Sequence, residues 1–290
     1  MPVLLCQLES LLEQWESDKT LLEPSRFASR TEILDRLDRF LFEPQLQESG
    51  PGHDLVRRAR AFSALLNAAN DQFFAAVRQQ IQTGTCPPEF QTFLHQQASA
   101  PPRGLAYDFL DDLIAGVFEL TPPAAEPCTL EPDSVFYQPT PARHIFRLIS
   151  AAPVNQADTL VDLGSGLGHV PLLVSICTGA TSIGIELDPA WNDAATQCAT
   201  YLNLHRTTFF TQNAREADLS SGTVFYLYTP FTGSTLVSVL ESLRNESSKR
   251  PIRVCTFGPC TVEVSTQTWL EPLTPPVEDQ VAVFRSSPVN

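Results

Sequence analysis

The stretch that decides the fold is Leu160-Val161-Asp162-Leu163-Gly164-Ser165-Gly166-Leu167-Gly168, an apolar run that leads into three alternating glycines. The apolar run predicts a buried strand, and the glycines predict a tight turn that lets the backbone approach a ligand closely. The apolar segment from Val170 to Cys177 follows and predicts a helix. A strand, a glycine turn and a helix in this order predict the first unit of a ligand-binding α/β sheet.

The spacing of the glycines indicates which ligand the turn binds. Gly164, Gly166 and Gly168 follow a G-x-G-x-G pattern, whereas dinucleotide-binding turns use G-x-G-x-x-G. Asp162 precedes the first glycine, and Glu186 ends the next β-rich run, where a carboxylate can accept both hydroxyls of a ribose. S-adenosylmethionine carries an ammonium and a sulfonium instead of a pyrophosphate, so an acidic turn suits it. The constellation predicts S-adenosyl-L-methionine as the cofactor.

Short β-rich runs alternate with helical segments through the second half of the chain. This rhythm predicts a doubly wound, Rossmann-like α/β sheet with helices on both faces. A terminal hairpin is expected at residues 269–273 and 281–285. The predicted strands are residues 159–163, 181–186, 207–212, 223–228 and 252–257, with helices at 170–177, 188–203 and 234–245.

The first part of the chain has helical periodicity, as in Leu4, Leu8, Leu11 and Trp15. Turn signals between such series predict about five helices; they lie at Pro24, residues 49–52, Pro87-Pro88 and Pro101-Pro102. We expect a helical domain over residues 1–120, serving as substrate cover or dimer interface. The proline-rich residues 121–133 predict a linker, and residues 134–290 a cofactor-binding methyltransferase domain.

Composition limits the partners. The 290-residue chain has a formal net charge of −14, which repels phosphates and attracts cations, so we expect no nucleic-acid substrate. Its apolar runs are too short to span a membrane, and its first ten residues lack the basic start of a signal peptide, so a cytoplasmic location is expected. The seven cysteines form no zinc-ligand pattern, which predicts reduced thiols and no metal.

Residues 134–285 resemble the class I methyltransferase family through Asp162-Leu163-Gly164-Ser165-Gly166-Leu167-Gly168 and the acid at Glu186. The resemblance implies that the glycine turn binds the methionine end of the cofactor and that Glu186 holds the ribose. Gln212-Asn213-Ala214 stands where the family usually has Gly-Asp-Ala, and it implies an adenine contact by Asn213. The implied cofactor-binding residues are Asp162, Gly164, Ser165, Gly166, Gly168, Glu186, Asn213, Ala214 and Thr140.

Two loops resemble those of Dot1-type and related seven-strand protein lysine methyltransferases. They are Tyr137-Gln138-Pro139-Thr140-Pro141, before a predicted helix, and Tyr228-Thr229-Pro230-Phe231-Thr232-Gly233, after the fourth strand. This resemblance implies methyl transfer to an amine nitrogen, with a protein lysine as one candidate. The expected catalytic residues are Tyr228, Thr229 and Tyr137, and the expected substrate contacts are Tyr137, Pro230 and Phe231.

Two other functions stay open at this point. One is O- or N-methylation of a small molecule in secondary metabolism, and the other is a non-catalytic regulator that binds S-adenosylmethionine. The expected partner is an amine-bearing substrate, protein or small molecule, without a membrane surface, and a homodimer is a further expectation. His169 is interpreted as a capping or packing residue at a helix start and His144 as part of the helical run 142–149, so neither is chosen as a general base. Asp108, Asp111 and Asp112 are interpreted as a solvated helix face.

Overall fold

A computed structural model describes residues 2–42, 52–99, 104, 106–123 and 137–287. Seven strands form one sheet in the order β3-β2-β1-β4-β5-β7-β6. The first five strands are parallel, and β7 runs antiparallel to both of its neighbours. The strands are β1 Thr159–Leu163, β2 Thr181–Glu186, β3 Thr207–Thr211, β4 Val224–Tyr228, β5 Arg253–Phe257, β6 Leu270–Pro272 and β7 Ala282–Ser286.

Burial of the strands follows their place in the sheet. In the central strand β1 every residue from Leu160 to Leu163 is buried, as expected for a parallel strand covered on both faces. At the edge, β3 alternates, with Phe209 buried and Phe210 exposed. The doubly wound fold is confirmed, and so is the terminal hairpin, because β6 pairs with β7.

Helices connect and cover the strands. α7 begins directly after the glycine turn with Gly168 as its N-cap (φ 79°), and it ends at the left-handed Gly179. α8 begins after Asp188, whose side chain accepts a hydrogen bond from Ala190 N, with Pro189 as its first residue. The helices of this part are α6 Ala142–Ala151, α7 His169–Thr178, α8 Pro189–Tyr201, α9 Gly233–Ser247 and α10 Cys260–Ser265.

The described N-terminal residues form the expected five α-helices: α1 Pro2–Ser17, α2 Phe27–Leu41, α3 His53–Gln82, α4 Pro88–Ser99 and α5 Phe109–Phe118. Leu8, Leu12, Leu37 and Leu66 are fully buried in one apolar cluster of these helices. The turn signals at Pro24 and at Pro87-Pro88 do separate helices. The signals at residues 49–51 and 101–102 lie outside the described residues.

The chain divides into two compact units, each with its own core. One comprises Met1–Arg78 and Asp112–Val117, and the other Gln79–Asp111 and Phe118–Asn290. α4 therefore groups with the sheet, because it packs against α6, whereas the sequence suggested a helical domain over residues 1–120. The predicted linker at 121–133 lies mostly outside the described residues, and the boundary drawn there stays a prediction.

Among the described residues, no helix is both long and apolar enough to cross a membrane. Within the same residues, no group of three or more His, Cys, Asp or Glu side chains is arranged to hold a metal ion.

Candidate functional site

The predicted site residues meet where the parallel strands end. β1 runs into Gly164, β2 ends at Glu186, β4 at Tyr228 and β5 at Phe257. Parallel neighbours end at the same edge of a sheet, and open α/β sheets bind ligands outside this carboxyl edge. The sequence order therefore brings the glycine turn, the acidic residue and the Tyr228 loop to one edge.

The glycine turn needs glycine for both backbone and space. Gly164, Gly166 and Gly168 have φ of 88°, 51° and 79°, the left-handed region that other residues rarely adopt. A Cβ on Gly164 would lie 2.2 Å from Pro230 Cβ, and one on Gly166 would lie 2.0 Å from Tyr137 Cε2. Neither space can be filled without moving a neighbour, so the turn holds the backbone close to its surroundings.

Glu186 holds the glycine turn by accepting three backbone hydrogen bonds. Gly166 N donates to Oε2 at 2.7 Å, while Leu187 N and Asp188 N donate to Oε1 at 2.8 and 3.0 Å. Hydrogen bonds to an ionised acceptor are about twice as strong as neutral ones. The carboxylate of Glu186 thus ties the end of β2 to the turn after β1.

Asp162 is the acid inside the site. It lies on β1 and is almost fully buried. Burial, together with the nearby negative charge of Glu186, raises the pKa of its carboxyl well above the ordinary value. A cation placed beside these two acids would lower that pKa and relieve their repulsion.

These residues fit S-adenosylmethionine. The cofactor has an ammonium and a sulfonium to place near Asp162, and ribose hydroxyls that can donate to the remaining lone pairs of Glu186. Ser165 Oγ is buried and has no hydrogen-bond partner among the residues that the structure describes, so it is available to a ligand. Gly164 is exposed at the turn. Asp162, Gly164, Ser165, Gly166 and Glu186 would hold the cofactor.

The loop of residues 137–141, here called the cover loop, packs on the glycine turn. The Tyr137 ring lies on Gly166, where it would meet any added Cβ. The hydroxyl also lies 3.4 Å from His169 Nδ1. The predicted catalytic residue Tyr137 is therefore placed as a cover on the turn that would hold the cofactor, and burial raises the pKa of its hydroxyl.

Thr140 anchors the other end of the cover loop. Its hydroxyl is buried and lies 3.1 Å from the Tyr226 hydroxyl. Tyr226 is the β4 partner of Asp162 in the sheet register. Thr140 is therefore linked through Tyr226 to the strand position beside Asp162.

The predicted adenine contacts follow β3. Gln212 N donates to the carbonyl of Glu186 at 2.8 Å, so this segment adjoins the end of β2 as expected. The Asn213 side-chain oxygen accepts from Arg215 N and caps a short 3-10 turn, and Ala214 packs partly against the sheet core. An adenine contact through the Asn213 side chain would have to share an oxygen that already serves as a cap.

The loop after β4 is only partly available to a substrate. Thr229 is buried in a left-handed conformation (φ 37°), where its hydroxyl donates to Phe257 O and accepts from Cys260 N. This placement contradicts the expected role of the Thr229 hydroxyl, because both bonds hold the turn after β5. Tyr228, in contrast, is half-buried, with its ring stacked on Phe257 at a centroid distance of 4.7 Å.

The two expected substrate contacts after Thr229 have different surroundings. Pro230 packs against Gly164 and so borders the glycine turn. Phe231 is buried in the apolar core that includes Leu163, Leu227 and Leu236. This burial contradicts the expected substrate contact of Phe231, because its ring packs in that core.

Trp191 is a residue of the site that was not singled out from the sequence. It lies on α8 and meets the Tyr137 ring edge-on at a centroid distance of 4.3 Å, and its only sequence signal is its position shortly after Glu186.

The expected solvated face is wrong for two of its three acids. Asp111 accepts hydrogen bonds from Ala142 N and Asp108 N, and Asp108 pairs with the buried Arg143.

Neither histidine is placed as an obvious base, in line with the sequence interpretation. His144 Nε2 lies 2.8 Å from Gly104 O, and its ring packs tilted against Phe257. Burial lowers the pKa of His169 to about 4, so this ring is neutral at physiological pH. Neither ring is placed as a base of ordinary strength.

Comparisons with known proteins agree with this geometry. Residues 133–226 match the family described as "Histone methylation protein DOT1". No curated protein matches the chain. Because the family match covers about a third of the chain, it characterises the cofactor half of the sheet and the cover loop.

Solved methyltransferases are among the structures similar to this chain, over about half of its length or less. An RNA methyltransferase from Salinibacter ruber in complex with S-adenosyl-L-homocysteine is 26% identical, with 51% of this chain and 92% of that chain covered and a TM-score of 0.40. A precorrin-6y C5,15-methyltransferase from Geobacter metallireducens is 12% identical, with 53% of this chain and 92% of that chain covered and a TM-score of 0.41. A SAM-dependent methyltransferase from Geobacter sulfurreducens, in complex with S-adenosyl-L-homocysteine, is 20% identical, with 39% of this chain and 47% of that chain covered and a TM-score of 0.33.

The strand order, the glycine turn with its two acids and the family match define the class of this protein. It is a Rossmann-like class I methyltransferase that uses S-adenosyl-L-methionine. The family match spans the cover loop and β1 to β4, which carry most of the residues that would hold the cofactor.

Proposed function

We propose that this protein transfers the methyl group of S-adenosylmethionine to an amine nitrogen, with a lysine side chain of a protein as the acceptor. The observation that carries the proposal is the match of residues 133–226 to a histone methylation family. The matched stretch includes Tyr137 of the cover loop, which packs on the glycine turn. The net charge of −14 favours a cationic partner over nucleic acid.

Methyl transfer is an in-line displacement, so catalysis consists largely of positioning the acceptor nitrogen. Bound S-adenosylmethionine supplies the electrophilic methyl group. Asp162 and Glu186 would hold the cationic and ribose parts of the cofactor, while Tyr137 covers Gly166 and Pro230 packs against Gly164. These residues bind and orient the donor.

On the acceptor side, Tyr228 is the residue that we expect to orient the amine. Burial raises the pKa of its hydroxyl to about 12, with a smaller contribution from Tyr107, so the hydroxyl keeps its proton at neutral pH. Its oxygen can still accept a hydrogen bond from an amine N–H. Tyr228 would therefore orient the nitrogen, which has to lose its proton to solvent before it reaches the methyl group.

Incubation with tritium-labelled S-adenosylmethionine tests the proposal. The acceptors are purified histones and, separately, a cell lysate, and the matched control is the Gly166→Ala variant, whose turn cannot accept a Cβ without moving Tyr137. We expect label in protein bands that co-migrates with methyl-lysine after acid hydrolysis. We expect no label in protein bands with the Gly166→Ala variant.

Two outcomes would overturn the lysine proposal. Label confined to small molecules would establish the alternative of small-molecule O- or N-methylation. Calorimetric binding of the cofactor without transfer to any acceptor would indicate a regulatory protein. The expected cytoplasmic location and homodimer are further parts of the proposal, to be tested by fractionation and by light scattering.

A further inference from the structure

Residues 107–111, here called the brace segment, reach the site from outside the stretch that matches the methylation family. They include the first turn of α5 and lie in the same compact unit as the sheet. The Tyr107 ring is 46% exposed, yet its hydroxyl donates a hydrogen bond of 2.8 Å to Pro139 O in the cover loop. An exposed side chain is thus used to hold a loop of the site.

Two further contacts join the brace segment to the residues after the cover loop. Asp111 Oδ1 accepts from Ala142 N at 2.7 Å, at the start of α6. Asp108 Oδ2 pairs with the buried Arg143 at 3.3 Å. The brace segment therefore holds the cover loop at Pro139 and the helix that follows it at two successive residues.

The held loop packs directly on the residues that would hold the cofactor. Tyr137 covers Gly166, and Thr140 bonds to Tyr226, the sheet partner of Asp162. Pro139 lies between these two anchors. A loop that lifts at Pro139 would therefore unseat both of them from the floor of the site.

We propose that Tyr107 is a positioning residue for the cofactor, which acts by fixing Pro139 and so keeping the cover loop seated on the glycine turn. This proposal rests on the methyltransferase class and is independent of the acceptor. When only part of the population has the loop seated, the apparent affinity for a ligand falls by that fraction. A single neutral hydrogen bond shifts such an equilibrium by about twofold to tenfold.

Binding of S-adenosylhomocysteine to the full chain, measured by calorimetry, tests this proposal. Tyr107→Phe keeps the ring and removes the donor, so we expect Kd to rise about twofold to tenfold while Tm falls by no more than about 2–4 °C. The matched control is Tyr201→Phe, a similarly exposed tyrosine at the end of α8, which should bind as the wild type does. Equal affinity of Tyr107→Phe and wild type would overturn the proposal.

A second measurement reports on the loop itself. Tyr137 contacts Trp191, so in a background of Trp15→Phe and Trp269→Phe the remaining tryptophan emission senses the cover loop. We expect Tyr107→Phe to increase acrylamide quenching of Trp191 in the free protein and S-adenosylhomocysteine to restore protection.

The outcomes separate this proposal from the cofactor assignment. Unchanged quenching with a lowered Tm would mean that Tyr107 only stabilises the fold, which overturns its positioning role. If wild type fails to bind S-adenosylhomocysteine, the cofactor assignment and the positioning role both fail. If only the Tyr107 comparison fails, the cofactor assignment stands.

Discussion

Replacement of Glu186 by glutamine is the sharpest test of the cofactor site. The carboxylate accepts three backbone hydrogen bonds, two on Oε1 and one on Oε2. In its better orientation the glutamine oxygen keeps the bonds from Leu187 N and Asp188 N, and its amide N–H₂ then faces Gly166 N. One charge-assisted bond is lost, at about 1.5–3 kcal/mol, and the two that remain become neutral and weaker.

This loss falls on the turn that binds the cofactor, and glutamine also offers fewer acceptors to a ribose. We therefore expect the Glu186→Gln variant to bind S-adenosylhomocysteine about 10- to 100-fold more weakly, which corresponds to about 1.4–2.8 kcal/mol. Calorimetry on the variant measures this, with Glu241→Gln on the exposed surface of α9 as the control. Wild-type affinity in the Glu186→Gln variant would refute the role of Glu186 in both the turn and the ribose contact.

Three further variants test other contacts of the site. Wild type should lose stability as pH rises through the raised pKa of Asp162, whereas Asp162→Asn should not, and urea unfolding midpoints measured against pH will show the difference. Cofactor binding should release a proton from wild type only, which calorimetry in buffers of different ionisation enthalpy detects. Thr229→Val leaves Cys260 N without its acceptor and should cost about 1–3 kcal/mol of unfolding free energy, with cofactor affinity unchanged. A comparable loss of cofactor affinity would mean that Thr229 contacts the ligand. Burial lowers the pKa of His169 from 6.5 to about 4, so its contribution to stability is present above pH 6.5 and lost as pH falls toward 4. The unfolding free energy of His169→Gln should therefore fall less steeply with pH on the acid side, and the same steepness as in wild type would contradict this cause.

The cofactor side of the site was predictable because its information is local in sequence. The strand, the positive φ of Gly164, Gly166 and Gly168 and the start of α7 lie within one short stretch. Each glycine there is required by its own backbone conformation, so spacing alone identifies the turn. Glu186 adds a single distant residue, and its place at the end of β2 follows from the next β-rich run.

The acceptor side was not predictable in the same way, because its residues are used by contacts between distant segments. Tyr228 and Thr229 are neighbours at the end of β4, yet the Thr229 hydroxyl is hydrogen-bonded to the turn after β5. Phe231 likewise belongs to the apolar core, a placement that depends on α9 and β5. The acids of residues 108 and 111 looked like a solvated face, because their partners Arg143 and Ala142 lie more than thirty residues on.

This difference bears on where acceptor specificity should be sought. Thr229 and Phe231 are engaged by the fold, so Tyr228 is the residue of the β4 loop whose aromatic ring remains half-exposed at the edge where the cofactor would bind. Tyr107 is close enough for its hydroxyl to raise the pKa of Tyr228, although it comes from a segment outside the family match. The family match therefore covers most of the residues that would hold the methyl donor, whereas we expect selection of the acceptor to involve Tyr228 at the end of β4.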